Sequence, residues 1–194
     1  MGRNIVIIDG HPDPNPLRLC HALADAYEAG ARAAHHEVTR INIGQLDFPI
    51  LRTQVEFEGG SVAPDIADTQ AAIRGADHLL IIYPLWLGTM PALLKAFLEQ
   101  VIRPGFAFEA NSKGFPGKLL KGRSARIVIT MGMPGLFYRW FFGAHSLKSL
   151  ERNILKFCGI GPIRETIFGM VEAASDAKRS KWLDKMTSMG QRGV

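Results

Sequence analysis

Short apolar runs recur along this chain and alternate with segments whose apolar positions repeat at helical spacing. Runs that are nearly continuous in Ile, Val and Leu predict buried strands of a parallel sheet, and one run with more alternation predicts a strand nearer the edge. The predicted strands are Asn4–Asp9, Glu37–Ile43, Asp77–Tyr83, Ala125–Thr130 and Ile163–Phe168. The predicted helices are Pro16–Ala34, Pro64–Arg74, Pro91–Ile102, Gly143–Phe157 and Ala174–Met189, and residues 44–63 and 103–123 form long irregular connections.

Alternating strands and helices predict an α/β fold with a parallel sheet and helices on both of its faces. Right-handed crossovers and the 194-residue length favour a doubly wound, five-stranded sheet of order 2-1-3-4-5, as in flavodoxin-like folds. We expect a single domain over residues 1–194. In this order a ligand binds where the carboxyl ends of strands one, three and four meet.

The loop after the first strand, Gly10-His-Pro-Asp-Pro-Asn-Pro-Leu-Arg18, has the features of an anion site. Asn15 is predicted to cap the following helix, with Pro16 as its first residue. Free backbone N–H groups and the positive end of the helix dipole favour a phosphate there. The G-x-G-x-x-G sequence of dinucleotide-binding proteins is absent, so we expect a mononucleotide-type cradle with polar side chains from His11, Asn15 and Arg18.

The loops after the third and fourth strands are also chemically unusual. Trp86 and Gly88 precede Pro91, which opens the next helix, and Gly132 and Gly135 flank a proline after the fourth strand. Such loops expose backbone N–H donors. A tryptophan at a loop tip can flank a planar ligand, and it can equally pack under its own loop as part of a small hydrophobic cluster. Three such loops at one edge predict a planar cofactor that carries a phosphate.

Composition and charge bear on three further possibilities: nucleic-acid binding, a cysteine-based site and membrane insertion. The net charge of +5 comes from 23 basic and 18 acidic residues, and the basic C-terminal helix is better explained by a solvated face than by nucleic-acid binding. Cys20 and Cys158 are far apart and lie in apolar contexts, so we expect buried thiols and neither a metal site nor a redox dithiol. Without a recognisable signal peptide or a membrane-length apolar run, the sequence predicts a cytoplasmic protein with no stable membrane insertion.

Several motifs resemble those of the NAD(P)H:quinone oxidoreductase family of flavodoxin-like flavoproteins. They follow the family order along nearly the whole chain: Gly10-His11-Pro12, Tyr83-Pro-Leu-Trp86 through Pro91-Ala-Leu-Leu-Lys95, Gly105-Phe-Ala-Phe108, Thr130-x-Gly132 and Phe157-Cys-Gly159. The resemblance implies a non-covalent flavin, NAD(P)H as donor, and ping-pong transfer of two electrons to quinones or similar aromatic acceptors. It also implies a homodimer with the flavin near the interface.

The resemblance assigns roles to individual residues. His11, Asn15, Leu17 and Arg18 would hold the phosphate and ribityl end of the flavin, and Pro84, Leu85, Trp86 and Leu87 would cradle its ring system. Thr130 and Gly132 would close the other edge. Tyr138 and His145 would be catalytic, as donors that stabilise negative charge on the reduced flavin, or would be pocket walls. Departures at Pro12-Asp-Pro14 and Met133 favour FMN over FAD, which is nearly as well supported.

The segment Leu136–Phe142 holds five aromatic residues in seven positions, which a domain of this size cannot bury completely. We expect it to form a dimer interface that also walls the substrate pocket, in preference to a membrane-surface contact. Two other functions stay open. One is a flavodoxin-type electron carrier, which the basic charge disfavours, and the other is a flavin-bound regulatory subunit of an ion-efflux channel.

Overall fold

The computed structural model describes residues 2–110, 114 and 116–194 and contains one five-stranded, all-parallel sheet. Its strand order is β2-β1-β3-β4-β5, which confirms the predicted fold class. The strands are β1 (Asn4–Asp9), β2 (Glu37–Asn42), β3 (His78–Pro84), β4 (Ser124–Met131) and β5 (Ile163–Gly169). Residues 111–113 and 115 of the long connection predicted over 103–123 lie outside the described residues.

Helices cover both faces of the sheet, as its solidly apolar strands require. They are α1 (Leu19–Ala33), α2 (Gln54–Gly59), α3 (Pro64–Gly75), α4 (Ala92–Val101), α5 (Gly135–Trp140), α6 (His145–Ser149), α7 (Lys156–Cys158) and α8 (Asp176–Gln191). A π-helical stretch, Leu150–Leu155, joins α6 to α7. One hydrophobic core lies between the sheet and helices α1 and α8. The other lies on the opposite face, between the sheet and helices α3, α4 and α6 with the π-helical stretch.

Helices α1 and α8 touch each other through glycines. A Cβ atom at Gly30 would lie 2.1 Å from the Thr187 carbonyl oxygen, and one at Gly190 would lie 2.0 Å from the Tyr27 carbonyl oxygen. Only residues without a side chain permit two backbones to approach so closely. This contact fixes where α1 crosses the sheet, and therefore where α1 begins.

The predicted start of the first helix is wrong by three residues. Asn15 does accept a hydrogen bond from the Leu17 N–H at 3.0 Å, but this bond forms an isolated turn. Arg18 then takes an extended conformation, and α1 begins at Leu19 without a side-chain cap. The local cap signal was present, but the extended Arg18 separates that turn from α1.

The connection predicted to be irregular over residues 44–63 contains helix α2. Thr53 and Glu56 form a capping box at its start, a signal that the sequence already carried. The buried Arg103 guanidinium donates to the carbonyls of Phe57 and Ser61 at 3.1 and 3.2 Å, and so fixes this segment against the end of α4. The segment is therefore ordered by one arginine that lies more than forty residues away in the chain.

Candidate active site

The loops after β1, β3 and β4 meet at the carboxyl edge of the sheet. The Gly10 N–H donates to the Ile82 carbonyl at 2.7 Å, and the Leu85 N–H donates to the Thr130 carbonyl at 2.8 Å. A Cβ atom at Gly10 would lie 2.8 Å from a Leu94 methyl group, so the loop after β1 can leave the sheet only through glycine. The three loops predicted to form the site are thus joined by direct backbone contacts.

Asp9, at the end of β1, is fully buried and organises the loop that follows. One of its oxygens accepts from His21 Nδ1 at 2.6 Å and from Arg40 Nη2 at 2.8 Å, and the other accepts from the His11 N–H at 3.3 Å. A buried carboxylate is tolerated only when it is paired and hydrogen-bonded in this way. Sequence reasoning missed this cluster, because its members come from β1, α1 and β2.

His21 links the cluster to the loop. Its Nε2 donates to the Asp13 carbonyl at 2.9 Å while its Nδ1 faces Asp9, so both ring nitrogens face acceptors. Burial opposes the charged form, but the hydrogen bonds to Asp9 and to Asp13 outweigh it and raise the pKa of His21. Burial and the nearby charge of His21 lower the pKa of His11. His21 therefore keeps its proton to a higher pH than His11 does.

The rest of the loop presents polar groups at the surface. Arg18 Nε donates to Asp13 Oδ2 at 2.7 Å, and the two side chains form an exposed ion pair. The Asn15 N–H and then Arg18 lower the pKa of the Asp13 carboxyl. Leu17 is exposed. The first turn of α1 lies beside these groups with no side-chain cap, so its N–H groups are available to an anion.

The loop after β3 forms a tight two-residue turn. Trp86 and Thr89 exchange backbone hydrogen bonds of 2.8 and 3.0 Å, and both Leu87 and Gly88 have positive φ angles. A positive φ at Leu87 is a strained conformation for a leucine, and strain of this kind concentrates at functional sites. The side chain of Leu87 is fully exposed, and the Leu87 and Gly88 amides have no hydrogen-bond partner among the described residues.

Trp86 brings this loop against the loop after β1. Its ring is half exposed and meets the His11 ring edge-on at 6.0 Å between centroids. Pro84 is buried at the end of β3, and Leu85 is half-buried beside it. A cavity of about 470 Å³ adjoins the loop on its α4 and α6 side. The turn therefore presents an aromatic face together with free amides.

The loop after β4 places the remaining predicted residues. Gly132 is exposed, and the Thr130 hydroxyl is buried 3.3 Å from Cys20 Sγ on α1. Tyr138 is only 1% exposed, with its hydroxyl 2.7 Å from Ser146 Oγ and 3.2 Å from the Leu147 N–H that donates to it. His145 is exposed at the start of α6. The Tyr138 hydroxyl therefore holds α5 to α6, and this role was not predicted.

The arrangement suits a planar group that carries a phosphate. The uncapped start of α1 and the Arg18 guanidinium offer donors for the phosphate, and the Trp86 turn offers an aromatic surface with free amides for a polar ring edge. No group of three or more potential metal-ligating side chains occurs in the described part of the chain. The donor set is thus one for an organic anion.

Comparisons with known proteins agree with the fold. The family described by its flavodoxin-like fold matches residues 3–188. An NAD(P)H oxidoreductase of Haemophilus influenzae is 27% identical over 186 residues, which cover 93% of this chain and 91% of that protein. Human ribosyldihydronicotinamide dehydrogenase (quinone) is 31% identical over 138 residues, 66% of this chain, and the match spans little more than half (57%) of its length.

Solved structures share the fold over the whole chain. An FMN-dependent NADH-azoreductase of Bacillus anthracis, solved in complex with FMN, superimposes with a TM-score of 0.76. It is 15% identical, and the match covers 99% of both chains. At that identity the likeness concerns the fold alone.

We predict that the stability contributed by His21 falls as the pH rises. The raised pKa means that protonated His21 stabilises the folded state fully below its ordinary pKa of about 6.5, and that this contribution is lost as the pH passes through the raised value. Urea unfolding of the wild type and of His21→Gln between about pH 6 and pH 9 measures the difference in free energy of unfolding. The difference should shrink as the pH rises, and a difference that grows with pH contradicts the assignment.

Proposed function

This chain belongs to the family of proteins with a flavodoxin-like fold, and we propose that it is a flavin-dependent NAD(P)H oxidoreductase that reduces quinones or similar aromatic acceptors. The observation that carries the proposal is the meeting of three loops at the switch point of the sheet, with an uncapped helix start beside an exposed aromatic turn. The names of the Haemophilus and human relatives support the donor and the acceptor class.

In this proposal the start of α1, with His11, Asn15, Leu17 and Arg18, holds the flavin phosphate and ribityl chain. The Arg18 guanidinium already stands at the helix start, where its pairing with Asp13 keeps it in position. Because the exposed pair is weak in water, Arg18 can turn its donors to a phosphate at little cost. His11 is buried, so it shapes the floor of the cradle beneath the Trp86 ring.

The ring system lies in this proposal against Pro84, Leu85, Trp86 and Leu87, with Thr130 and Gly132 at its far edge. The free amides of the Leu87–Gly88 turn are suited to the polar edge of the ring. When bound, a flavin accepts a hydride from NAD(P)H and passes two electrons to the acceptor. The protein's part is to hold the ring, to exclude water from one face and to leave the other face open to donor and acceptor in turn.

FMN is the form we favour. The loop Pro12-Asp13-Pro14 carries no hydroxyl group, and the Asp13 carboxylate is negatively charged, so this loop suits a single terminal phosphate better than a diphosphate. The FMN complex of the Bacillus anthracis azoreductase, which shares the fold, is consistent with this choice.

The electron-carrier and regulatory-subunit alternatives are less well supported. The basic charge and the enclosing aromatic segment disfavour a carrier, and the Haemophilus and human relatives, which match most of the chain, carry oxidoreductase names. Among the described residues, no helix has the length and apolar character needed to cross a membrane. A cytoplasmic location stays part of the proposal.

We predict that the purified protein binds flavin stoichiometrically and that Arg18→Ala weakens this binding without affecting the fold. Removing one charge-assisted contact to a phosphate should cost about 1.5–3 kcal/mol, or at least a tenfold rise in Kd. Quenching of FMN fluorescence on titration measures Kd. The matched control is Arg152→Ala, an exposed arginine on the π-helical stretch, which should bind FMN as the wild type does.

Two outcomes separate the parts of this prediction. A wild-type protein that quenches neither FMN nor FAD contradicts the proposed function as a whole. Unchanged affinity in Arg18→Ala contradicts only the role of Arg18.

We predict that Tyr138 and His145 stabilise the negative charge that develops on flavin reduction. Tyr138→Phe should slow the NAD(P)H-driven loss of flavin absorbance by roughly 10- to 100-fold, about 1.4–2.7 kcal/mol, with little change in flavin affinity. The Tyr138 hydroxyl also holds α6 through Ser146 and Leu147, so a structural effect must be separated. Ser146→Ala provides this control, because it loosens the same contact and keeps the hydroxyl.

Stopped-flow measurement distinguishes the two roles. If Ser146→Ala slows the reaction as much as Tyr138→Phe does, the hydroxyl is a positioning group for α6. If Tyr138→Phe and His145→Gln both react at the wild-type rate, these residues are pocket walls and the catalytic assignment fails.

We propose that the protein is a homodimer and that the aromatic segment 136–142 lies in the contact. The structure buries Tyr138 and leaves four aromatic side chains of this segment exposed, namely Phe137, Trp140, Phe141 and Phe142. The rings of Phe137 and Phe141 stack at 4.8 Å, which makes a continuous apolar surface. Such a surface on a single domain indicates an interface.

We predict that sedimentation velocity at micromolar concentration finds a dimer. Phe141→Asp should shift the equilibrium towards monomer, because a charge in a buried apolar contact is costly. Asp68→Asn changes the charge by the same amount at an exposed position of α3 and should leave the dimer intact. A stable, flavin-loaded wild-type monomer contradicts the proposed contact.

A further inference from the structure

A second group of polar side chains lies at the amino-terminal edge of the sheet, opposite the candidate active site. Arg126 on β4 is the direct neighbour of Arg164 on β5, and His78 on β3 is the neighbour of Ser124, two residues before Arg126. Paired residues of parallel strands project to the same side, and alternate residues share a face. His78, Arg126 and Arg164 therefore share the face that α1 and α8 cover.

Three buried polar atoms of this face have no hydrogen-bond partner among the described residues. Arg126 is 6% exposed and donates from Nη1 to the Thr166 hydroxyl at 2.9 Å, but its Nε makes no hydrogen bond. His78 is 3% exposed and lies 2.7 Å from Ser124 Oγ through Nδ1, while its Nε2 is unpaired, as is the Tyr27 hydroxyl. Buried polar groups are rarely left unsatisfied, so this concentration of them requires an explanation.

The side chains around these atoms carry more positive than negative charge. Arg3, Arg126, Arg164 and Arg192 make no ion pair with any carboxylate among the residues that the structure describes. Burial together with the charges of Arg126, Arg3 and Arg164 lowers the pKa of His78 to about 4. Like charges at directly opposed strand positions repel each other and destabilise a sheet. An anion bound between them attracts both charges and stabilises the same arrangement.

A cavity of about 580 Å³ opens at this place. Arg3, His78, Ser124 and Arg164 contribute to its wall, and Val194 lies at its rim. Asp77 is the acidic side chain of the lining, and its Oδ2 is occupied by the Asn4 N–H at 2.8 Å. The cavity is larger than a phosphate ion requires and has room for a phosphate attached to a small organic group.

We propose that this amino-edge cavity is a binding site for a phosphate-bearing small molecule, with Arg3 and Arg164 as direct guanidinium ligands. Arg164 makes no hydrogen bond within the described residues and can offer a phosphate both arms of its guanidinium. Arg3 is positioned by the bond from its Nη1 to the Gly193 carbonyl at 2.9 Å, which leaves its other donors available. Arg126 does not line the cavity, but as the strand neighbour of Arg164 it adds a buried positive charge close to it. The site is independent of the proposed redox function.

Calorimetric titration with inorganic phosphate, on the protein as purified, tests the proposal. The start of α1 also attracts anions, so the titration is carried out in the Arg18→Ala background, which weakens binding there. We expect saturable binding of one phosphate, weakened at least tenfold by Arg164→Gln. Lys181→Gln removes the same charge from an exposed position of α8 and should bind as the background protein does. Absence of saturable binding, or equal loss in both variants, overturns the proposal.

A second variant tests the buried charge. Arg126→Met removes an unpaired buried cation, so in phosphate-free buffer its melting temperature should equal or exceed that of the wild type. In the Arg18→Ala background, addition of phosphate should raise the melting temperature less when Arg126→Met is also present than when it is not. An equal rise in both proteins contradicts the proposed role of Arg126. If Arg126→Met does not fold, the comparison of Arg164→Gln with Lys181→Gln decides the proposal alone.

Discussion

The buried carboxylate of Asp9 is the constraint on which the candidate active site depends. It ends β1, and within hydrogen-bond distance it meets Arg40 from β2, His21 from α1 and the backbone of His11. Burying this charge without its partners would cost several kcal/mol, so the strand end, the helix and the loop must come together at once. His21 then extends the same network to the Asp13 carbonyl. The shape of the loop after β1 is therefore set by the buried Asp9 and the groups that pair with it.

The parallel sheet gives the molecule two edges of different chemistry. At the carboxyl edge, the loops after β1, β3 and β4 meet through backbone hydrogen bonds and present free amides, an exposed tryptophan and the start of α1. At the amino edge, Arg3, Arg164 and the neutral His78 line a cavity, and the buried Arg126 is the strand neighbour of Arg164. Because every strand runs in the same direction, the groups at the carboxyl ends and the groups at the amino ends lie at separate edges of the sheet.

Much of the fold could be predicted from the sequence, because it rests on local patterns. The solidly apolar runs place the five strands, and the strand order follows from length and crossover handedness. Errors arose where a local signal was read alone: Asn15 makes the predicted side-chain bond, yet α1 begins at Leu19. Helix α2 was missed although Thr53 and Glu56 carried its capping box, because the glycines and the proline of that segment were given more weight.

The sequence by itself determined the sheet, its order and the three loops that form the candidate site, since periodicity, glycine and proline act over a few neighbouring residues. Only the tertiary structure decided what each polar side chain does. It turned the Tyr138 hydroxyl towards Ser146, paired Arg18 with Asp13, and assembled Asp9, His21 and Arg40 into one buried cluster. It also gathered arginines from positions 3, 126, 164 and 192 at one edge. Such contacts join residues far apart in the chain, and hydrogen bonding and charge depend on distance in space, which no local pattern records.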